Sequence, residues 1–471
     1  MPSDHLEYGS AEFDRGVERL LASYRAIPAG AGVRLAKKTS NLFRKRAENP
    51  NPGLDVSGLN RVISVDPRAR TAQVAGMCTY EDLVDATLQY GLVPYVVPQL
   101  KTITLGGAVT GLGIESTSFR SGLPHESVRE MEILTGDGEL VVARPDNEHK
   151  DLHFGFPNSY GTLGYSVRLE IDLEAVKPFV ELRHVRFTDV RALQDELVRI
   201  VDRRVYQGEP VDYLDGVIFS ADECYLVLGR QTDEPGPVSD YTGNDIYYRS
   251  IQHDDVDHPK RDRLTIRDYL WRWDTDWFWC SRAFGAQNPK IRRFWPKKYL
   301  RSSFYWKLIG YDQRYDIGDR LNARKGQPPG ERVVQDIEVP VERTADFAEW
   351  FLAEIPIEPI WLCPLRLLDP APGGRKKQPW SLYPLLKGHT YVNFGFWSAV
   401  PVTPGKPGYT NRRIEIEVSE LGGHKSLYSE SFYPEEEFDE LYGSKTYRAL
   451  KKKYDPQGRF TTLYEKAVKR A

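Results

Sequence analysis

Three observations predict an α+β protein built as two lobes. The 471 residues exceed what a single hydrophobic core usually organises. Segments of helical period alternate with segments of two-residue alternation, and no internal repeat stands out. The densest glycine cluster, residues 105–122 with five glycines, lies between strand-like runs, where exposed backbone N–H groups can meet a ligand closely.

Taken in order, residues 11–26 carry Phe13, Val17, Leu20, Leu21 and Tyr24 at helical spacing and predict a helix. Residues 33–44 predict a short strand running into a polar loop. Residues 61–76 alternate as two paired strands that turn at Asp66-Pro67. Thr79 has the chemistry of an N-cap for a helix through Tyr90, which Gly91 ends. Residues 130–142 and 165–173 read as strands. Character changes at Lys177-Pro178. Beyond it, residues 180–187 predict a strand, 190–203 a helix and 213–228 a further strand. Residues 231–262 form an excursion rich in Pro, Gly and Asp. Strands are predicted over 335–340, 358–368 and 389–397, and helices over 344–352, 435–442 and 445–454; residues 369–387 read as a loop.

Composition narrows the function classes. A net charge of −3 gives no whole-chain attraction to nucleic acid. Cys78, Cys224, Cys280 and Cys363 are scattered, which argues against a zinc site or a disulfide scaffold and suits a reducing compartment. The N-terminal run is polar and lacks the apolar core of a signal peptide. No stretch of about 18 apolar residues exists to span a bilayer. A cytoplasmic protein is expected.

The glycine-rich loop after Tyr95-Val-Val-Pro-Gln99, the Leu134-Thr-Gly-Asp-Gly138 hairpin and the later Gly161-Thr-Leu-Gly164 turn occur in one order. In that order they resemble the FAD-binding flavoproteins of the vanillyl-alcohol-oxidase (PCMH) type. The likeness sharpens further along. Gly113-Ile-Glu-Ser116, Gln335-Asp-Ile-Glu-Val-Pro340 and Pro359-Ile-Trp-Leu-Cys-Pro364 are similar to the Δ24-sterol reductases, as are Lys37-Lys38-Thr39 and Glu234-Pro235 with Gly243-Asn244. Actinobacterial reductases of methylene-branched fatty acyl chains share this architecture. The resemblance implies a two-lobed FAD-binding domain with an inserted α/β cap. Its N-terminal part is placed at 1–176, the cap at 177–425, and a C-terminal closing part at 426–471.

The resemblance also assigns residues. Lys37, Lys38, Thr39, Ser40 and Asn41 match the pyrophosphate loop; it holds no histidine, so dissociable, non-covalent FAD is expected. Pro98, Gln99, Thr104, Gly106 and Gly107 are expected at the pyrophosphate and ribityl region. Gly111, Gly113, Ile114 and Ser116 belong near the flavin ring, and Gly161, Gly164 and Ser166 at the adenosine or ring edge. No Gly-x-Gly-x-x-Gly follows a strand, so a separate nicotinamide domain is not expected; NADPH, as the reductant, has to visit the same cleft as the lipid.

The implied chemistry is reduction of an isolated carbon–carbon double bond in a lipid, either a methylene-branched fatty acyl chain or a sterol side chain. With no carbonyl to withdraw charge, the workable route is protonation to a tertiary carbocation followed by hydride from flavin N5. That requires an acid in a dry, apolar pocket. Glu115 in the glycine loop and Asp336 on the cap strand are the candidate donors, since burial raises a carboxyl pKa. Asn393, Tyr391 and Tyr428 are expected to line the ring and orient substrate, and Cys363 to be a packed core thiol. No metal site is expected. An oxidase or dehydrogenase of a sugar, alditol or polyprenyl-linked sugar is the alternative, and a peripheral membrane protein keeping FAD as a relic is a third reading.

Residues 269–308 hold six of the ten tryptophans. From Trp277 to Tyr311 there is no acid but eight cations: Arg282, Lys290, Arg292, Arg293, Lys297, Lys298, Arg301 and Lys307. Tryptophan with Lys and Arg marks a bilayer interface, so this segment is expected to dock the protein peripherally on a membrane. A packed aromatic core with a solvated basic rim is the other reading.

Overall fold

The computed structural model describes residues 7–37, 53–315, 328–368, 380–443 and 445–469, with isolated positions between 316 and 327. Two antiparallel sheets dominate it, each with helices or loops on its faces, consistent with the α+β class.

The first sheet contains β1 (Val62–Asp66), β2 (Thr71–Ala75), β3 (Leu92–Pro94), β4 (Val128–Leu134), β5 (Leu140–Ala143) and β6 (Tyr165–Ala175), in the order β1-β2-β6-β4-β5, with β3 also on β6. The helix Gly9–Ala26 lays Phe13 and Leu20 against Ile63, Ala75, Leu134 and Val167 on one face. The opposite face, through Ala72, Val74, Met131, Leu169 and Ile171, belongs to the central core. The helix Tyr80–Leu88 starts as predicted, with the Thr79 hydroxyl accepting from Asp82 N–H. The helix Lys445–Tyr454 packs on this sheet's loops: Tyr447 OH meets Thr162 Oγ1 at 2.9 Å, and Gly136 N–H donates to Tyr454 O.

The second sheet is built from β7 (Phe179–Phe187), β10 (Tyr213–Ser220), β11 (Glu223–Thr232), β12 (Lys260–Thr265), β13 (Gly330–Pro340), β14 (Ile360–Arg366), β15 (Thr390–Pro401) and β16 (His424–Lys425). Its order is β12-β7-β11-β10-β14-β15-β13-β16, while β8 (Val205–Tyr206) and β9 (Glu209–Pro210) form a separate hairpin. The single strand predicted over 213–228 is a hairpin of two, β10 and β11, in which Tyr213 pairs with Gly229.

Side chains alternate across this sheet. Leu214, Ile218, Leu226, Ile337, Leu362, Phe394 and Phe396 face the helices Val190–Arg203, Thr344–Glu354 and Tyr409–Glu420, which seal one side. Val217, Tyr225, Trp361 and Cys363 face the other way, into the core shared with the first sheet's loops and the aromatic segment. Register places Asp336 opposite Gly395, Gly395 opposite Trp361, and Asn393 opposite both Glu338 and Cys363, so all of these share the inward face.

β16 is held by a fully buried ion pair, Lys425 Nζ to Glu415 Oε1 at 2.9 Å, and Lys425 also donates to Glu430 O. Burial lowers the lysine pKa, and the glutamate opposes that shift. Removing one partner of such a pair strands the other charge. Lys425→Met should therefore cost about 3–5 kcal/mol, read as a lower urea midpoint, whereas Lys469→Met on the exposed pair with Glu435 should cost under about 1 kcal/mol.

Candidate functional site

The glycine loop divides into positions used for packing and positions open to a ligand. A Cβ on Gly106 would meet Ser166 Oγ at 2.4 Å and Gly76 O at 2.5 Å, and one on Gly113 would meet Pro98 and Pro124 at 2.8 Å. Gln99 Nε2 donates to Ile114 O at 3.0 Å. Ser166, Pro98 and Ile114 are likewise buried within the lobe. Gly161 and Gly164 hold positive φ, 75° and 142°, and a side chain at 164 would strike Leu134 O. Gly107 differs: it is exposed between buried neighbours, and its added Cβ would meet only Thr104 Oγ1, at 2.9 Å.

Thr104 caps the short helix Leu105–Thr110 through Gly107 N–H, and Lys37 Nζ lies 3.4 Å from its hydroxyl. A cation, a hydroxyl and an open glycine thus share one accessible surface, a donor set that fits a diphosphate. Lys38, Thr39, Ser40 and Asn41 lie outside the described residues. At the far end of the helix, Gly111 O accepts from Tyr383 OH at 2.7 Å, and a Cβ on Gly111 would sit 3.2 Å from the Tyr160 ring.

Tyr160 joins this loop to the second sheet: its hydroxyl accepts from Leu427 N–H at 2.9 Å. The adjacent Tyr428 hydrogen-bonds Asp336. Asn393 Nδ2 donates to Asp336 Oδ1 at 3.1 Å, and Trp397 Nε1 donates to Tyr428 OH at 3.2 Å. Asp336, Tyr428 and Trp397 each keep some accessible surface, whereas Gln335, Ile337, Glu338 and Asn393 are closed. Desolvation raises the Asp336 pKa to about 6, against the smaller opposing effects of Asn393 and Tyr428. The structure therefore brings Asp336, Asn393 and Tyr428 together.

Two residues along the same face, Glu338 is buried with no Lys or Arg paired to it among the described residues. Burial pushes its pKa well up, and Ser426 Oγ donates to it at 2.8 Å. His424 Nε2 lies 3.2 Å away, its pKa pushed down to about 3 by burial, so a neutral pair stands behind Asp336.

Glu115 occupies a different environment. Arg272 Nη2 lies 2.8 Å from both Glu115 Oε1 and Asp215 Oδ2, and all three side chains are buried. The indole N–H groups of Trp273 and Trp361 also donate to Asp215 Oδ2. Ser116, the next residue, shares a 2.8 Å hydrogen bond with Tyr269 OH. Burial raises the Glu115 pKa, and Arg272 pulls it back. Cys363 is buried, with its thiol pushed well up by desolvation. Sequence reasoning missed Arg272, Asp215 and Trp397; a lone acid inside the apolar run Tyr213–Ile218 was the signal for Asp215.

The aromatic segment turns inward. Trp271, Trp273, Trp277 and Trp279 are buried, Trp295 and Trp306 partly so, and Arg292 makes a buried pair with Asp276 at 2.7 Å. These tryptophans fill the space between the second sheet and the glycine loop, the packing alternative to the bilayer reading. Exposed on the segment are Ile291, Phe294 and Tyr299 with Arg293, Lys297 and Lys298, besides Arg282, Lys290 and Lys307; Phe294 is 74% exposed, and Lys297 Nζ lies 3.4 Å from Asp240. Among the described residues no helix is long and apolar enough to cross a membrane.

Residues 20–144 match the FAD binding domain family model. The Delta(24)-sterol reductase of Homo sapiens is 28% identical over 431 residues, covering 89% of this chain and 76% of that protein. The Delta(24)-sterol reductase of Arabidopsis thaliana is 26% identical over 464 residues, covering 91% and 78%. Cytokinin dehydrogenase 6 of Oryza sativa subsp. japonica is 29% identical over 139 residues, 30% of this chain and 26% of that protein. The chain thus carries an FAD-binding domain and resembles the Δ24-sterol reductases over most of its length.

Proposed function

We propose that this protein is an FAD-dependent reductase of an isolated carbon–carbon double bond in a lipid, of the sterol side-chain or methylene-branched acyl type, with NADPH as reductant. The observation that carries the reading is Asp336: an acid with a raised pKa, ringed by Trp397, Tyr428 and Asn393, beside the Tyr160 contact with the glycine loop. In this division residues 1–176 and 426–471 hold the cofactor, and 177–425 form the substrate cap.

Lys37, Thr104 and Gly107 hold the cofactor's diphosphate, and the loop around Gly111 and Tyr160 lies towards the ring. Bound and reduced, FAD supplies the hydride. The chain supplies the proton. Asn393 and Tyr428 fix the Asp336 carboxyl, and the surrounding rings exclude water, so the acid form persists to about pH 6. Glu115 is the weaker donor candidate, because its carboxylate is engaged by Arg272 and by Ser116 N–H. Its role in this reading is to fasten the glycine loop to the cap. The lipid comes from a membrane, and the rim of Ile291, Phe294 and Tyr299 with Arg293, Lys297 and Lys298 docks there peripherally on the cytoplasmic side.

Three outcomes test the reading. Gly107→Val should still fold, with a small fall in melting temperature as the Thr104 cap gives way, yet lose most of its acid-releasable FAD; Gly106→Val should fail to fold, since it strikes backbone. Full FAD in a folded Gly107→Val protein removes the assignment of that surface.

Asp336→Asn should still be bleached by NADPH but lose about a hundredfold or more in oxidation of its reduced flavin by the lipid alkene. In the wild type that oxidation should slow as pH rises through about 6, where the carboxyl loses its proton. The same raised pKa stabilises the fold fully below the ordinary aspartate range near 3.8, and this contribution disappears as pH rises through about 6. A flat rate profile from pH 5 to 8 would place the donor elsewhere.

Replacing Arg293, Lys297 and Lys298 with Gln and Phe294 with Ser should lower affinity for anionic vesicles several-fold, with FAD content unchanged. Undiminished sedimentation with such vesicles would reject the docking rim.

A further inference from the structure

Trp397 stands on the inward face of β15 beside the acid. Its ring lies 4.2 Å from Phe278 and 5.4 Å from Trp279, and Phe278 packs in turn on Trp273 and Trp361. Phe278 is held there at a cost in backbone conformation, since it and Trp277 both adopt positive φ, 58° and 45°, which bulky residues avoid. A methyl group on Gly395 would lie 2.6 Å from Trp397 Cη2 and 2.7 Å from Asp336 Oδ1. Ring and acid therefore crowd a single point, and only glycine lets them stand this close together. Arg272 is stacked over Tyr269 at 4.0 Å, but among the described residues no cation stands over the Trp397 ring.

We propose that Trp397, backed by Phe278, is the cation-stabilising wall of the site: its π face meets the positive charge that develops on the more substituted alkene carbon. This inference rests on the reductase reading and adds to it the electrostatic partner of the proton donor. The O–H bond of Asp336 breaks and its proton bonds to the less substituted carbon through the alkene π pair. The other carbon is left electron-deficient beside the indole. That carbon accepts the hydride and becomes saturated, and the carboxylate regains a proton from water. An aromatic face in a desolvated site attracts such a charge, whereas bulk water would quench the cation.

The test uses the FAD-loaded full chain and two readouts. By calorimetry, choline should bind about tenfold more tightly than its neutral carbon isostere, 3,3-dimethylbutan-1-ol. Measured in the Asp336→Asn background to remove carboxylate attraction, this preference should survive in Trp397→Phe and vanish in Trp397→Leu. In stopped flow, with the Asp336 carboxyl intact, oxidation of reduced flavin by the lipid alkene should fall about tenfold in Trp397→Leu and much less in Trp397→Phe. Gly395→Ala, whose methyl forces ring and acid apart, should lose both properties and serves if Trp397→Leu does not fold. Wild-type reduced flavin that no lipid alkene oxidises would sink the reductase reading. Alkene oxidation with an unchanged choline preference in Trp397→Leu, or in Gly395→Ala if that is the variant that folds, would overturn the aromatic wall while leaving the reductase reading standing.

Discussion

The buried cluster of Arg272 with Glu115 and Asp215 is the constraint on which the site's architecture depends. Each member comes from a different part of the chain: the glycine loop, β10 of the second sheet and the aromatic segment. One cation serves two carboxylates where no water competes, and the indole N–H groups of Trp273 and Trp361 supply further donors to Asp215. Buried ions are costly unless fully engaged, so this contact tolerates little misplacement. It sets the distance between the loop carrying Gly111 and the sheet carrying Asp336. The tryptophans around it act as filler that keeps the ions dry.

Much of the fold was legible because the relevant signals are local. The N-cap at Thr79, the turn after Asp66 and the helical spacing of residues 11–26 all reappear as elements. The misreadings have physical causes. β10 and β11 read as one strand because their turn at Ala221-Asp222 contains neither Gly nor Pro. The helix Tyr409–Glu420 escaped notice because Ile414, Ile416 and Val418 mimic a two-residue period. Within the fold, Ile414 and Val418 are buried four apart and Ile416 is 41% exposed, which is helical geometry.

The candidate site was legible by composition more than by geometry. Asp336, Asn393 and Tyr428 lie far apart in sequence yet share one hydrogen-bonded group. Their juxtaposition depends on strand register, which no local pattern reveals. The glycine loop gave the opposite difficulty: its positions look equivalent in sequence, but contacts separate Gly106, which the protein's own backbone requires, from Gly107, which opens outward. The tryptophan-rich segment left two readings open because side-chain type alone does not distinguish a ring that meets lipid from one that packs in the core; six of its rings are buried or partly so.

The alternation of the second sheet has a consequence for how such a protein can diversify. The two faces of this sheet are written on interleaved positions of the same strands: Ile360, Leu362, Phe394 and Phe396 anchor the helices behind, while Trp361, Cys363, Gly395 and Trp397 face the aromatic core in front. Within the second set, Trp361 is tied to Asp215 and Gly395 admits no side chain, so Trp397 is the position a lineage, or a directed library, can vary without disturbing the first. The surface beside Asp336 can thus change its contour while the sheet and the helices that hold Asp336 in place stay constant.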